Sequence, residues 1–390
     1  MSKIVLLTGA GCSAAAGMLT LKNVIEGIQI PFDSRNPSLQ TILDTWKSVQ
    51  AQRGIDDATL EDLIGVLKTY SQVTDMIRNN PVFGKELEVD RHPRITNGQF
   101  KMVWENALAY CLRLVLDTYG PHRVETGSEG FKTIHDVIKS LAIRNGGPID
   151  LFTTNYDCLL NVMATLSNDL TFCTHIHNER GTFAADWFVS NTAGFNKKNP
   201  KVHVHRLHGC VAWVAESSAP YGVREIFGAG DATKKKLTIN DQATLNQMAI
   251  KLLGDDLGQI PAFALAFEEL CNALSRCETL LVWGHSFRDE ELLRNIIRVA
   301  EKRHQHPFQV WYIDAYLKID NVKENMEKTL KNVIAVDPSI LYPLIRMLEC
   351  EWKSPDPYAD LAVLLDGITG LPPEEPGRQQ SKKRPRRAAR

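Results

Sequence analysis

Residues 3–14, KIVLLTGAGCSA, decide the fold of this chain. The apolar run KIVLLT is typical of a strand that is buried on both faces of a parallel sheet. It ends at Gly9, Ala10 and Gly11, and the Ala-rich residues 13–18 that follow predict the start of a helix. A strand that turns through glycines into a helix is the first unit of a doubly wound α/β domain.

The same strand pattern returns further along the chain, with helical periods between the strands. Apolar residues spaced three and four positions apart predict helices over 257–277 and 288–303. Strands that alternate with helices favour a parallel sheet, so we expect an α/β fold with a doubly wound, mostly parallel, Rossmann-like sheet. The further strands are predicted at Ile149–Thr154, Val202–Leu207, Thr279–Trp283 and Phe308–Ile313, with shorter candidates at Val211–Val214 and Val333–Val336.

Residues 20–147 separate the first two predicted strands, and their apolar residues have the period of long helices. Leu60, Leu63, Ile64 and Leu67 form one such stripe. This segment is either a surface for an oligomer or a partner, or a simple cover for the sheet. The expected organisation is an α/β domain made of residues 1–19 and 148–352, a helical insertion over 20–147, a C-terminal helical extension over 353–370 and a disordered basic tail over 371–390.

Composition excludes several classes of protein. The chain has 390 residues, of which 44% are hydrophobic and 23% are charged, so it is neither wholly disordered nor fibrous. No apolar run approaches the ~20 residues of a membrane span, and the N-terminus lacks the pattern of a signal peptide. Eight scattered cysteines without a C-x-x-C pair favour reduced thiols. We therefore expect a cytoplasmic protein without membrane contact.

Charge is distributed unevenly along the chain. The formal net charge is -1, but residues 378–390 contain seven Lys or Arg and no acid. The rest of the chain is therefore acidic. The basic tail is interpreted either as a weak contact with nucleic acid or an acidic partner, or as a solubilising end.

The glycine motif fits G-x-G-x-x-G/A at the end of a strand. Such glycines let the backbone approach a pyrophosphate, and the helix that follows offers unpaired amides. Gly9, Ala10, Gly11 and Ser13 are therefore candidate contacts to a dinucleotide. A glycine-rich turn without a ligand is the alternative, and the acidic ribose clamp expected about 20 residues later in a standard dinucleotide fold is missing.

Polar residues follow the next two strands at the ends where open α/β sheets bind ligands. Thr154, Asn155 and Asp157 follow the second strand, although Asn155 or Asp157 could simply cap the next helix. The histidine-rich segment 203–208 marks the third strand. His208 stands at its end, where an imidazole is suited to proton transfer near neutral pH. A metal site is the less favoured alternative, because no Cys, Asp or Glu lies at ligand spacing.

Two more strand ends complete the set of candidates. Gly284 permits close backbone approach, and His285 and Ser286 follow it. The Ser286 hydroxyl can bond a phosphate or a ribose. Asp289 fits a first-turn acid that stabilises the N-terminus of the next helix. Asp314 follows the run FQVWYI, where its carboxylate is either a ligand for ribose hydroxyls or an ordinary loop acid.

The order of these motifs resembles the signatures of the sirtuins. GAGCSAAAG, TTNYD, RLHG and GHSF are similar, in that order, to a GAG-x-S loop, a T-Q-N-I-D strand end, an H-G turn and a G-T-S loop. The resemblance covers residues 3–18 and 149–315. It is greatest to the sirtuin-like effectors of bacterial antiphage defence, which also contain T-T-N-Y-D and G-[YH]-S-[FL]-x-D and which hydrolyse NAD.

The resemblance implies an NAD glycohydrolase that cleaves NAD into nicotinamide and ADP-ribose and so depletes NAD in infected cells. NAD is then the substrate, and no metal is needed. A homo-oligomer or a defence partner, such as a DNA-translocating ATPase, would control the activity. The implied catalytic roles are Asn155 on the ribose or the attacking water, His208 as general base and Asp157 on the nicotinamide carboxamide. The implied NAD contacts are Gly9, Ala10, Gly11 and Ser13 around the pyrophosphate, Gly284, His285, Ser286 and Asp314 on the adenosine side, and Thr154 as a further binding residue.

Two other classes of function stay open. One is an NAD-dependent protein deacylase or ADP-ribosyltransferase, and the other is a non-catalytic sensor of NAD or ADP-ribose. Three departures from the deacetylating sirtuins argue against an acyl-lysine groove. The two C-x-x-C pairs of their zinc module are absent, Met18 and Leu19 replace the start of G-I-P-x-F-R after Gly17, and Thr154 replaces a Gln. A sensor needs no general base, so His208 argues against that class.

Overall fold

A computed structural model describes residues 4–19, 97–174, 200–216, 260–303, 308–313 and 319–336, together with the shorter pieces 44, 47–48, 60, 63–68, 176–177, 182–183, 218, 222–225, 248–250 and 352–353. Its helices are α1 (Ala10–Ala14), α2 (Asn97–Tyr119), α3 (Glu129–Arg144), α4 (Leu159–Leu166), α5 (Pro261–Leu274), α6 (Glu290–Lys302) and α7 (Ile319–Val336). Its strands are β1 (Ile4–Thr8), β2 (Ile149–Thr153), β3 (Thr171–Thr174), β4 (Ile176–His177), β5 (Thr182–Phe183), β6 (Lys201–Arg206), β7 (Gly209–Ala215), β8 (Val223–Glu225), β9 (Met248–Ile250), β10 (Thr279–Trp283), β11 (Gln309–Ile313) and β12 (Trp352–Lys353).

The larger sheet has the strand order β12-β11-β10-β1-β2-β6-β3, and every pair of neighbouring strands in it is parallel. After β1 the chain builds β2, β3 and β6 on one side, and it later adds β10 and β11 on the other. This reversal beside β1 is the kind of switch point at which doubly wound sheets bind ligands. The predicted α/β fold with a mostly parallel sheet is confirmed, and the carboxyl ends of β1, β2, β6 and β10 lie at one edge.

Both faces of the larger sheet are buried, as β1 illustrates. Ile4 and Leu6 belong to one apolar cluster, and Val5 and Leu7 belong to another. The two clusters are separate because successive side chains of a strand point to opposite faces. Helices α2, α3 and α4 pack in the first cluster, and α6 packs in the second. This double burial explains why the strands are continuous apolar runs rather than alternating ones.

The described part of the predicted insertion is helical and covers the sheet. Leu60, Leu63, Ile64 and Leu67 are helical and buried, and they share the first apolar cluster with β1 and β2. Helices α2 and α3 contribute to the same cluster. The boundaries proposed for the insertion stay predictions, because much of the segment lies outside the described residues.

The C-terminal predictions fall almost entirely outside the described residues. Lys353, the first residue of the predicted helical extension, belongs instead to strand β12, which pairs with β11. Residues 354–370 and the basic tail 371–390 are not among those described. In the part of the chain that is, no helix combines the length and the apolar character needed to cross a membrane.

Besides Lys353, the structure differs from the sequence analysis at three points. Helix α1 begins inside the glycine motif and is already finished before Gly17, whose φ is +83°. The candidate strand Val333–Val336 is wrong, because these residues end α7. A short apolar run does not distinguish a strand from a helix, whereas Val322 and Met326, four positions apart and both buried, carry the helical period. The antiparallel sheet β4-β5-β8-β7-β9 was not anticipated.

Candidate active site

The loop after β1 and the loop after β10 are joined through their backbones. The Gly9 amide donates to the Trp283 carbonyl (2.9 Å), and the Gly11 amide donates to the Gly284 carbonyl (2.9 Å). A Cβ on Gly9 would lie 2.6 Å from the Gly284 oxygen, so this approach requires glycine. The two motif glycines therefore hold the loops together, and protein carbonyls already occupy their amides.

His285 supports an unusual backbone conformation in the loop after β10. Phe287 has a φ of +57°, which is strained for a bulky residue. Its amide donates to Nδ1 of His285 (3.0 Å). Burial lowers the pKa of His285 to about 4, so the ring is neutral at pH 7. Because Nδ1 accepts, the ring proton lies on Nε2, and His285 presents an N–H donor.

Asn155 binds the loop after β1 rather than capping a helix. Its Nδ2 donates to the Gly9 carbonyl (2.9 Å) and to the Ser13 hydroxyl (2.8 Å). Because the Gly9 carbonyl can only accept, the contacting atom must be the amide nitrogen. Both amide hydrogens are thus used. The side chain is half-buried, and its nitrogen is used by protein acceptors in the described part of the chain. Oδ1 is therefore the atom that can accept a hydrogen bond from a ligand.

Ser13 and Asp157 continue these hydrogen bonds into the interior. The Ser13 hydroxyl accepts from Asn155 and donates to the Asp157 carboxylate. Asp157 also accepts from the Leu159 amide (2.9 Å), the first residue of α4. Burial raises the pKa of Asp157, although these donors oppose the shift. Asp157 therefore stabilises the start of α4, as its capping interpretation proposed, and also orients Asn155 through Ser13.

A buried guanidinium adjoins this network, and the motifs did not indicate it. Arg206, at the end of β6, donates to the Asp157 carbonyl (3.2 Å) and to the Asn161 side chain. Asn161 in turn donates to Glu225 (2.8 Å), and burial raises the pKa of Glu225 to about 8. The sequence did contain one indication of this interaction. Arg206 lies in a predicted buried strand, and arginine is almost never fully buried unless it is paired, so a buried partner could have been expected.

His208 and Asp289 form a buried pair. Nε2 of His208 contacts Oδ2 of Asp289, and the side chains are only 7% and 5% exposed. Oδ1 of Asp289 accepts from the amides of Glu291 (2.9 Å) and Leu292 (3.1 Å), so Asp289 is the N-cap of α6. The helix-stabilising role expected for Asp289 is therefore correct, although the residue sits one position earlier than the first turn. Its contact with His208 was not predicted.

Contacts between β2 and β6 bring these groups together. The Leu207 amide donates to the Thr153 carbonyl (2.9 Å), and the ring of Tyr156 lies 6.0 Å from that of His208. Asp289 also acts on His285, where its negative charge opposes the lowering of the His285 pKa by burial. The residues that converge from four strand ends are Gly9 and Ser13 after β1, Asn155 and Asp157 after β2, His208 after β6, and His285 and Asp289 after β10.

His203 and His205, the histidines of the alternative metal site, pair with a carboxylate in β2. Their ring nitrogens lie 3.3 and 3.6 Å from Oδ1 of Asp150. Burial alone would raise the pKa of Asp150, but the two histidines lower it well below its ordinary value. Among the residues that the structure describes, no three His, Cys, Asp or Glu side chains are arranged to hold a metal ion.

The other predicted site residues lie around the cluster or outside the described ranges. Ala10 is exposed beside the joined glycines. The Thr154 amide donates to the Thr8 carbonyl (3.1 Å), which fixes the end of β2 against β1. Ser286 is half-buried in the loop after β10. Asp314 is outside the described residues, so its contact with adenosine stays a prediction.

Comparisons with known proteins give the following similarities. No family model and no curated protein matches the chain. A complex of a Sir2 homologue with NAD is 14% identical, with a TM-score of 0.37, and the match covers 85% of this chain and 90% of the other. A structure of a Sir2 enzyme is 12% identical, with a TM-score of 0.33, over 86% and 94% of the two chains. Since similarity at this level carries no information on activity, the case for a function rests on the residues of the site.

Proposed function

We propose that this chain is an NAD glycohydrolase, which breaks the bond between nicotinamide and ribose with water as the acceptor. The observation that carries the proposal is that Asn155 and the buried pair of His208 and Asp289 follow neighbouring parallel strands at one edge of the sheet. Oδ1 of Asn155 can hold a hydroxyl or a water, and His208 can take a proton. The order of the motifs, which resembles the NAD-hydrolysing effectors, supports the same substrate.

The chemistry needs orientation and charge stabilisation more than a strong nucleophile. When the bond between C1′ and nitrogen breaks, both electrons go to the pyridinium nitrogen, and nicotinamide leaves as a neutral ring. Positive charge then develops on the ribose. Oδ1 of Asn155 is the negative end of an amide dipole that Gly9 and Ser13 hold in place, and a fixed dipole of this kind stabilises such charge. His208 takes the proton that water loses as its oxygen bonds to C1′.

The two joined loops supply the binding groups. Because the amides of Gly9 and Gly11 already donate to protein carbonyls, we assign the pyrophosphate contact of this loop to the exposed residue Ala10. The neutral His285, with its proton on Nε2, and Ser286 offer donors on the other loop. Asp157 is buried and acts through Ser13 on Asn155, and its contact with the nicotinamide carboxamide stays an expectation from the family resemblance.

The test is incubation of the purified chain with NAD alone, followed by chromatography of the products. We expect nicotinamide and ADP-ribose in equal amounts without any peptide. His208→Ala should lower turnover by at least ~100-fold, the scale for losing a positioned general base. His135→Ala is the matched control, because His135 is a half-buried histidine on α3 that bonds Ser167 (3.1 Å) away from the site.

The other classes of function give different results in the same assay. Nicotinamide release that requires an acylated peptide would identify a deacylase. ADP-ribose attached to a protein would identify a transferase. Tight binding of NAD without products would identify a sensor. Each of these outcomes would overturn the hydrolase.

We further propose that the hydrolysis serves antiphage defence, as the resemblance implies. Unchecked NAD hydrolysis would deplete the cell that makes the enzyme, so we expect a partner or the assembly state to hold the activity off in uninfected cells, a restraint that the purified chain under assay conditions does not carry. We expect cells that express the chain with its partner to lose NAD after phage infection, whereas cells that express His208→Ala keep it. An NAD level that infection leaves unchanged in both would contradict the defence role.

A further inference from the structure

We infer that Asp289 is a positioning residue that fixes the tautomer of His208 and makes Nδ1 the basic nitrogen of the site. The inference rests on the proposed function, in which His208 is the general base. It follows from the separate partners of the two Asp289 oxygens. Oδ1 is held by the amides of Glu291 and Leu292, and Oδ2 contacts Nε2 of His208.

The proton position follows from elementary hydrogen bonding. An ionised carboxylate can only accept, so the Nε2 atom that contacts it must carry the proton. In a neutral imidazole the other nitrogen, Nδ1, then has the free lone pair. When Nδ1 takes a proton from water, the resulting imidazolium lies beside a carboxylate in a buried setting, where water competes little for the interaction.

The N-cap makes the carboxylate a rigid support. Two amide hydrogen bonds hold Oδ1 at the start of α6, and α6 is anchored in the core by the fully buried Leu292, Leu293 and Ile296. Oδ2 therefore has a fixed direction towards His208. His285, the other imidazole near Asp289, already uses Nδ1 to accept from the Phe287 amide. Its ring is thus held by its own loop.

Asp289→Asn keeps an N-cap for α6 but removes the negative charge beside His208. Asn is as favourable an N-cap as Asp, so its carbonyl oxygen should keep the two amides. That places the side-chain NH₂ against His208, where it can only donate. Nε2 must then accept, and the ring proton moves to Nδ1, which removes the basic nitrogen from the site. Asp289→Ser keeps a cap but is too short to reach His208, and it serves as the second variant.

The experiment combines kinetics of the full chain with nitrogen NMR of ¹⁵N-histidine protein, with NAD as the probe. For Asp289→Asn we expect kcat to fall by at least ~100-fold with little change in KM, and the proton of His208 to shift from Nε2 to Nδ1. Asp289→Ser should also lose kcat while its thermal stability shows an intact fold. Asp150→Asn, which removes a carboxylate from His203 and His205 at the far end of β2, should keep the turnover of the wild type.

Two results would overturn the inference: a folded Asp289→Asn protein with the kcat of the wild type, or a wild-type His208 that carries its proton on Nδ1. A wild-type protein that does not hydrolyse NAD would instead refute the proposed function. The NMR measurement still decides the tautomer in that case, so the two failures are distinguishable.

Discussion

The side-chain nitrogen of Asn155 lies 2.9 Å from the carbonyl oxygen of Gly9, a residue 146 positions earlier in the chain. This bond joins the end of β2 to the glycine loop after β1. Two motifs that are far apart in the sequence are therefore one structural unit. The same bond fixes which atom of Asn155 faces a ligand, since the nitrogen is used and the oxygen is not.

Substitutions at Asn155 test whether this orientation matters. Asn155→Ala and Asn155→Asp should each lower NAD turnover by at least ~100-fold, because neither presents an amide oxygen held by the glycine loop. Asn155→Asp should also lose stability, about 1–3 kcal/mol, because a carboxylate cannot donate to the Gly9 carbonyl. Nicotinamide release and urea denaturation measure the two effects.

Asn145→Ala is the matched control for Asn155. Asn145 also donates its side-chain nitrogen to a carbonyl, that of Pro148 (2.8 Å), but it precedes β2 instead of following it. Its loss should lower stability and leave turnover unchanged. Equal turnover in Asn145→Ala and Asn155→Ala would show that Asn155 has no special part in the reaction.

Gly284 offers a test of the joined loops. Its φ is +65°, and a Cβ there would overlap the Cys12 amide and the Gly11 backbone. Gly146 has nearly the same φ, +69°, but a Cβ there meets nothing within 4 Å. Gly146→Ala should therefore cost only the conformational strain, about 1–2 kcal/mol. Gly284→Ala should cost the same strain and, in addition, about 1–3 kcal/mol for the overlap.

Urea denaturation of both variants, with calorimetry of NAD binding, measures the difference. The additional loss in Gly284→Ala should be accompanied by weaker NAD binding, because the two loops would have to separate. Equal losses of stability in the two alanine variants would mean that the loops move apart at no cost, contrary to the close packing seen here.

The parallel sheet could be predicted because its strands carry the signal in their own residues. Ile4–Thr8 and Thr279–Trp283 are buried on both faces, and such strands are continuous apolar runs. The antiparallel sheet could not be predicted in this way, since β4, β5, β8 and β9 have only two or three residues each. A period of two cannot be recognised in so short a segment.

The site could be predicted as a set of strand ends but not as a network. Motif order indicated Asn155 and His208, and the topology brings the ends of their strands side by side. The partner of His208 could not be identified, because Asp289 is 81 positions away and carries an ordinary signal for a helix N-terminus. Ser13 likewise looked like a ligand contact, whereas its hydroxyl is buried and bonded within the protein.

The depressed pKa of His285 predicts a loss of stability in acid. An unfolded histidine binds its proton near pH 6.5, whereas the folded His285 does so near pH 4. Between these values the unfolded state binds more protons, so the free energy of unfolding falls as the pH decreases from 6.5 to 4. Each pH unit between the two pKa values is worth about 1.4 kcal/mol, which gives a full effect of about 3 kcal/mol.

His285→Asn isolates this titration. An Asn oxygen can accept from the Phe287 amide in the same two-residue turn, but it does not bind a proton in this range. The stability of the variant relative to the wild type should therefore rise steadily as the pH is lowered from 6.5 to 4 in urea denaturation experiments. A relative stability that does not change with pH would show that His285 is charged or exposed in the folded protein.

Ser13 is the link through which the buried Asp157 orients Asn155, and its removal should lower both activity and stability. Ser13→Ala breaks two hydrogen bonds, which costs about 1–3 kcal/mol of stability, and frees the Asn155 amide to rotate. We expect turnover to fall by at least ~10-fold, since the rotated amide no longer presents Oδ1.

Ser128→Ala is the matched control for Ser13→Ala. Its hydroxyl caps α3 by accepting from Phe131 (3.1 Å), so its loss should cost about 1 kcal/mol and leave turnover unchanged. A double-mutant cycle of Ser13→Ala with Asp157→Asn completes the test, because residues in one network should show non-additive losses. Additive losses of turnover would mean that Asp157 does not act through Ser13.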